Sequence, residues 1–248
     1  MSNLTYDSAP VAVRQGLANV HKRTWQRLAE PGTWWDGPTR VAIAAELRNA
    51  KSCALCKRRK TALSPYALKG THDSLGELPE PLVDVIHRIV TDPGRLSRDW
   101  YQTTLSSGLS DAEYVEAIGI IACVMAVDQF TLGIGMQPHA LPNPVGGKPS
   151  RQRPQGAKQS AAWVPMLAPK DVSEAEAGLY PEGLPVITYV RRALTLVPAE
   201  ARAYNEISDE QYTPAGASWD IGRQVRAISY SQVEFIASKV SILNECFY

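Results

Sequence analysis

The 248-residue chain lacks a charge excess: 26 Lys and Arg stand against 25 Asp and Glu, for a formal net charge of +1. That argues against a general nucleic-acid binder and leaves only local basic patches. Long apolar runs are missing too. The longest, "VEAIGIIACVMAV", is interrupted by Glu116 and flanked by Asp111 and Asp128. It is too short to span a bilayer and reads as a buried helix. The opening "MSNLTYDSAPVAVRQGLANVHKR" has no basic stretch followed by an apolar one, so no secretory signal is read. A cytoplasmic protein is expected, with no membrane partner and with thiols held reduced unless they have a redox task. No segment alternates apolar and polar residues between hairpin turns, which excludes a sheet as the main architecture.

What remains is a helical pattern, and the expected fold class is all-α. "APVAVRQGLANVHKRTWQRLAE" carries apolar residues at helical spacing up to Pro31 and Gly32. "TRVAIAAELRNA" follows as a helix that Pro38 and Thr39 open. Ser52 is a candidate N-cap, which would place Cys53 in the first turn of the next helix. "EPLVDVIHRIVTDP" and "RLSRDWYQTTLSSG" give two more helices. "LSDAEYVEAIGIIACVMAVDQFTLGIG" is the strongest, with Ser110 and Glu113 forming a capping box. Residues 141–180 are rich in Pro, Gly, Gln and Ser and read as a linker or arm, with Trp163, Val164 and Met166 packing onto a surface. Helical pattern resumes over 181–248. The expected division is therefore 1–140, 141–180 and 181–248.

Cysteine is scarce, and its four occurrences differ. Cys123 sits within an apolar run and is expected to be a small buried residue. Cys53 and Cys56 form a CxxC, followed at once by Lys57, Arg58, Arg59 and Lys60. Structural zinc needs about four ligands. His72 and His87 lie far downstream and no His-x3-5-His is present, so no metal or other cofactor is expected. A redox pair is favoured over two inert thiols. At a helix start, unpaired peptide N–H groups and nearby cations stabilise a thiolate. That argument alone points to Cys53 as the attacker. Glu46, seven residues before Cys53, is a candidate base; its alternative is a solvated glutamate paired near Arg48 or Lys51. His72, in the loop "KGTHDS", could fold back over the pair, and His87 could point inward from its helix. Asp128 interrupts an apolar helix and needs a partner if buried. Asp84, Asp92 and Glu116 are read as caps or solvated faces.

A helix, then CxxC opening the next helix, then "GLSDAEYVEAIGIIACVMAVDQFTLGIG" resembles the AhpD-like superfamily. That group takes in alkylhydroperoxidase AhpD, peroxidase-related proteins and carboxymuconolactone decarboxylases. The C-terminal "SYSQVEFIASKVSILNECFY" resembles it as well, so the resemblance covers roughly residues 20–140 and 185–248. It implies a helical bundle, open to a division into two degenerate copies, that reduces a small hydroperoxide or a thiol/disulfide partner. It also implies a homo-oligomer, with Trp25, Trp34 and Trp35 expected against another copy. In this family a glutamate twelve residues before the first cysteine and a histidine four after the second form a proton relay. The matching positions hold Val41 and Lys60. In the second copy Glu234 lies twelve before Cys246, and the position matching Cys56 falls beyond Tyr248. The resemblance makes Cys56 the attacker and Cys53 the resolver. The competing expectation is a helical binding or assembly module without turnover, or a lactone decarboxylase-like enzyme.

Overall fold

The computed structural model describes residues 4–183, 186–215, 217, 222, 224–244 and 246. Among them the regular structure is helical, with a single isolated antiparallel bridge between Lys158 and Met166. The chain is all-α. The helices are α1 (Gln15–Ala29), α2 (Gly37–Ala50), α3 (Ala54–Thr61), α4 (Glu80–Thr91), α5 (Arg98–Ser106), α6 (Asp111–Gly133), α7 (Tyr189–Arg192), α8 (Pro198–Gln211) and α9 (Tyr230–Leu243).

Local chemistry sets where these helices begin. Asp36 caps α2, its carboxylate accepting the Thr39 N–H at 2.9 Å, with Pro38 in the first turn. Ser110 and Glu113 form the expected capping box on α6. Ser52 does not cap α3. Its hydroxyl turns back to the Asn49 carbonyl at 2.8 Å, and Cys53 itself is the capping position. The Asp73 carboxylate takes the Ala54 N–H at 2.7 Å and supplies the missing acceptor from a distant loop.

Helix α6 is the axis of the core. It packs against α1, α2, α4 and α8, and α8 in turn lies on α1. Its 23 residues make it long and apolar enough, by length and composition, to cross a membrane, so the shorter apolar run understated it. It is nevertheless mostly buried inside the protein. Both its interrupting acids are ion-paired there. Asp128 meets Arg48 through two bonds of 2.9 and 2.8 Å. Glu116 is fully buried against Arg40, with the Trp34 N–H at 2.5 Å. The solvated-face reading of Glu116 is thus corrected. A carboxylate in an apolar helix is kept because a buried guanidinium compensates it. Asp92 ends α4 and pairs with Arg95 at 2.8 Å.

The main core draws on α1, α2, α4, α6 and α8, through Trp25, Ile43, Leu47, Ile86, Ile120 and Ile207 among others. The Pro/Gly-rich arm lies along it rather than away from it. Val145 N–H bonds the Ala29 carbonyl at 2.8 Å and Arg151 N–H bonds that of Thr33 at 2.8 Å. Met166 and Leu167 are buried, and Trp163 stacks on Tyr101. Gly37 is needed where the arm crosses, because a Cβ there would strike the carbonyls of Ala29 and Val145. The tryptophans expected at a subunit contact are used within the chain. Trp25 is buried and donates to the Ala140 carbonyl, Trp35 donates to that of Glu113, and Arg151 covers Trp34. Among the described residues, α9 exposes Phe235, Ile236, Val240, Ile242 and Leu243.

Candidate functional site

Four elements meet at the CxxC. Helix α2 carries Glu46 on its buried side. The turn after α2 presents Cys53 at the start of α3, and Cys56 lies one turn on. The segment between α3 and α4 returns over the pair and brings His72. Two bonds pin this return: Asn49 Nδ2 donates to the Asp73 carbonyl at 2.6 Å, and the Leu75 N–H to Glu46 Oε2 at 2.9 Å. Helix α4 supplies Asp84 and His87, three residues apart and therefore on one side of the helix.

The sulfurs of Cys53 and Cys56 are 3.6 Å apart, and both thiols are buried. His72 Nδ1 lies 3.7 Å from Cys53 Sγ and 3.4 Å from Cys56 Sγ. His87 Nδ1 lies 3.3 Å from Cys56 Sγ. Each ring uses its far nitrogen on a carboxylate: His72 Nε2 meets Asp84 Oδ1 at 2.9 Å, and His87 Nε2 meets Glu46 Oε1 at 2.8 Å. A carboxylate accepts only, so each Nε2 carries the hydrogen and each Nδ1 is directed at sulfur. Trp100 Nε1 donates to the second oxygen of Asp84 at 2.7 Å, and Arg59 pairs with the first at 3.1 Å.

Electrostatics follow from this wiring. Burial pushes the Cys56 thiol up, but His72 and His87, with Thr91 and Cys53, outweigh it and bring its pKa down to about 6. Cys53 is lowered as well, against its own burial, by the peptide N–H groups of Cys56 and Asp73 and by His72. Burial would lower His72, yet Asp84 and the two sulfurs hold it up at about 10. His87 is also raised, by Cys56 and Glu46 against its burial. Asp84 falls to about 2, because His72, Trp100 and Arg59 overcome its desolvation. The favoured resting state at neutral pH is a Cys56 thiolate beside an imidazolium.

A cleft of about 220 Å³ reaches the site from the side of α4 and α5. Arg59, Gly70, His72, Asp84, Trp100 and Thr103 contribute to its wall. It ends on the His72–Asp84 pair rather than on sulfur.

Of the residues expected from the sequence, Cys53, Cys56, Glu46, His72 and His87 come together here. Glu46 is buried and triply bonded, by His87, Asn49 and Leu75, so its solvated alternative is set aside. Asp128 does not join them, being held by Arg48. Glu234 lies on α9 and accepts the Tyr212 hydroxyl at 2.5 Å. Cys246 is exposed; its neighbours 245, 247 and 248 lie outside the described residues. Cys123 is buried, and burial drives its thiol up, as suits an inert core residue. Asp84 is the residue the sequence reading missed, having been assigned to a solvated face. Its one signal was its place three residues before His87 within the apolar "PLVDVIHRIV". The argument from spacing against a four-ligand cluster also gives way. The ligand atoms of Cys53, Cys56, His72 and His87 all lie within 4.8 Å of one another.

Comparison with known proteins assigns nothing further: no family model, no curated protein and no solved structure matches the chain.

Proposed function

We propose that the chain is a thiol-dependent oxidoreductase of the AhpD-like kind, with Cys53 and Cys56 cycling between dithiol and disulfide. The observation that carries this reading is the double histidine contact on Cys56, each ring backed by a carboxylate. The relay that Val41 and Lys60 do not supply is replaced by Glu46–His87 and Asp84–His72. Cys56 is then the attacker, since both rings serve it while His72 alone reaches Cys53. The Cys56 thiolate attacks the terminal oxygen of a small hydroperoxide, the O–O bond breaks, and a histidine gives its proton to the departing alkoxide. Cys56 becomes a sulfenic acid. The Cys53 sulfur displaces its hydroxyl as water and closes the disulfide. An external thiol returns the pair to the dithiol. Dilute alkyl hydroperoxide is expected to remove two hydrogens' mass from the Cys53–Cys56 peptide. Cys56→Ser is expected to abolish peroxide consumption, while Cys53→Ser stops at the sulfenic acid. A peptide mass unchanged by peroxide in chelator-treated, reduced protein would overturn the reading.

The same reading includes self-association, supported by the exposed apolar side chains of α9. Sedimentation velocity on the full chain tests it, and a monomer at all concentrations removes it.

The burial of both sulfurs favours a second reading, in which the chain binds or assembles without turnover and the CxxC serves structure. Retention of the chain's activity in a Cys53→Ser/Cys56→Ser double variant would select that reading.

A further inference from the structure

We infer that the reduced CxxC is a tetrahedral zinc site, with Cys53 Sγ, Cys56 Sγ, His72 Nδ1 and His87 Nδ1 as its four ligands. Zinc bound at about 2.3 Å to sulfur and about 2.0–2.1 Å to imidazole nitrogen sets ligand atoms about 3.4–3.8 Å apart in a tetrahedron. The separations here are 3.6 Å between the sulfurs and 3.7, 3.4 and 3.3 Å from sulfur to nitrogen. Four of the six ligand separations thus match a zinc coordination shell, and the other two, from His87 Nδ1 to Cys53 Sγ and to His72 Nδ1, lie within 4.8 Å. The outer contacts match as well. A zinc-bound histidine characteristically donates its other N–H to a carboxylate, which fixes the ring and the tautomer. Both rings do so, His72 to Asp84 and His87 to Glu46.

Donor chemistry narrows the metal. Two thiolates and two imidazoles suit zinc and disfavour magnesium or calcium, which take oxygen. Binding releases two protons, one from the Cys53 thiol and one from the imidazolium paired with Cys56, and leaves a centre of zero net charge, which burial tolerates better than separate ions. All four positions come from protein, so the centre is closed and of structural type.

This inference stands on ligand geometry and does not rest on the peroxidase reading. It does constrain that reading, because zinc and the disulfide need the same two sulfurs. Two zinc-bound thiolates, one hydroperoxide and two protons yield a disulfide, an alcohol and water, and the zinc leaves as the aqueous ion. Metal-loaded protein is therefore the protected form, and an oxidant releases the metal.

The test is cobalt(II) titration of the reduced full chain in a Cys246→Ser background, which removes the exposed thiol. One equivalent is expected to give thiolate-to-cobalt charge transfer and the intense visible bands of a tetrahedral site. Zinc is expected to abolish them at one equivalent. Asp84→Asn is expected to weaken zinc about 10–100-fold while keeping the bands. Cys53→Ser/Cys56→Ser is expected to lose the charge transfer, with helicity checked by circular dichroism. The inference is overturned if folded, reduced protein shows no such bands, or if the double variant or the disulfide form keeps them. Peroxide turnover is measured separately on metal-free protein, so either idea can fail without the other.

Discussion

His72, beside Cys56, and His21 show how an imidazole is moved in opposite directions by its neighbours. Cys56 has two imidazoles within 3.4 Å, and its pKa is drawn down to about 6. In metal-free protein its alkylation rate should rise with a midpoint near pH 6, followed by mass spectrometry of the Cys53–Cys56 peptide. His72→Ala removes one of the two groups holding the thiolate and should move that midpoint upward. An unmoved midpoint would take His72 out of the relay. Among the described residues His21 is bonded by Tyr6 and Gln211 rather than by a carboxylate. The Gln211 amide donates to its Nε2 at 2.9 Å, so Nδ1 holds the hydrogen and donates to the Tyr6 hydroxyl at 2.6 Å. Burial, then His139, depress its pKa from 6.5 to about 4. Below pH 6.5 the unfolded chain takes up a proton that the folded ring refuses, so stability is lost as pH falls from 6.5 to 4 and levels off below. At about 1.4 kcal/mol per pH unit the loss reaches at most about 3–4 kcal/mol. Urea unfolding across that range checks it, and His21→Gln should flatten the slope relative to wild type.

At the scale of elements, helix contacts decide what composition leaves open. Gly119 lies where α8 crosses α6, and a Cβ there would sit 2.6 Å from the Glu200 Cβ. In an exposed helix Gly→Ala gains up to about 1 kcal/mol. Here overpacking costs roughly 1–3 kcal/mol, and the Cβ of Glu200 cannot turn away. Gly119→Ala should therefore lower the urea midpoint, and a raised midpoint would show that α6 and α8 do not pack this closely. Two helix starts were legible in the sequence. Pro38 with Thr39, and Ser110 with Glu113, act through neighbours in the chain. The start of α3 was not, because its acceptor is Asp73, nineteen residues away.

In the whole molecule, Arg40 joins three helices from distant parts of the chain. From α2 it reaches Glu116 on α6 and Glu200 on α8, the latter at 2.8 Å, and all three are buried. Arg40→Met keeps the stem and removes the charge, leaving two buried carboxylates facing each other. A loss of about 3–5 kcal/mol is expected from breaking a buried ion network on one side, read by denaturant unfolding. A loss below about 1 kcal/mol would mean that water or another cation reaches the carboxylates. The arm shares this dependence, since Trp34 hangs on Glu116 and the 145–151 stretch bonds the loop that carries it.

By itself the sequence determined the helical class, the capping box that starts α6 and the presence of a CxxC pair. Those properties are written in periodicity, capping and local spacing, which act over a few residues. Only the tertiary structure decided what the pair touches. Glu46, His72, Asp84 and His87 sit on three separate segments, and no spacing rule connects them. Packing of α2 against α4, and the return of the loop after α3, bring them to the sulfurs. The same packing placed Asp84 beside His72 and gave Glu116 its guanidinium. A charge on a helix is solvated or buried according to its neighbours in space, and one strand of sequence does not contain them.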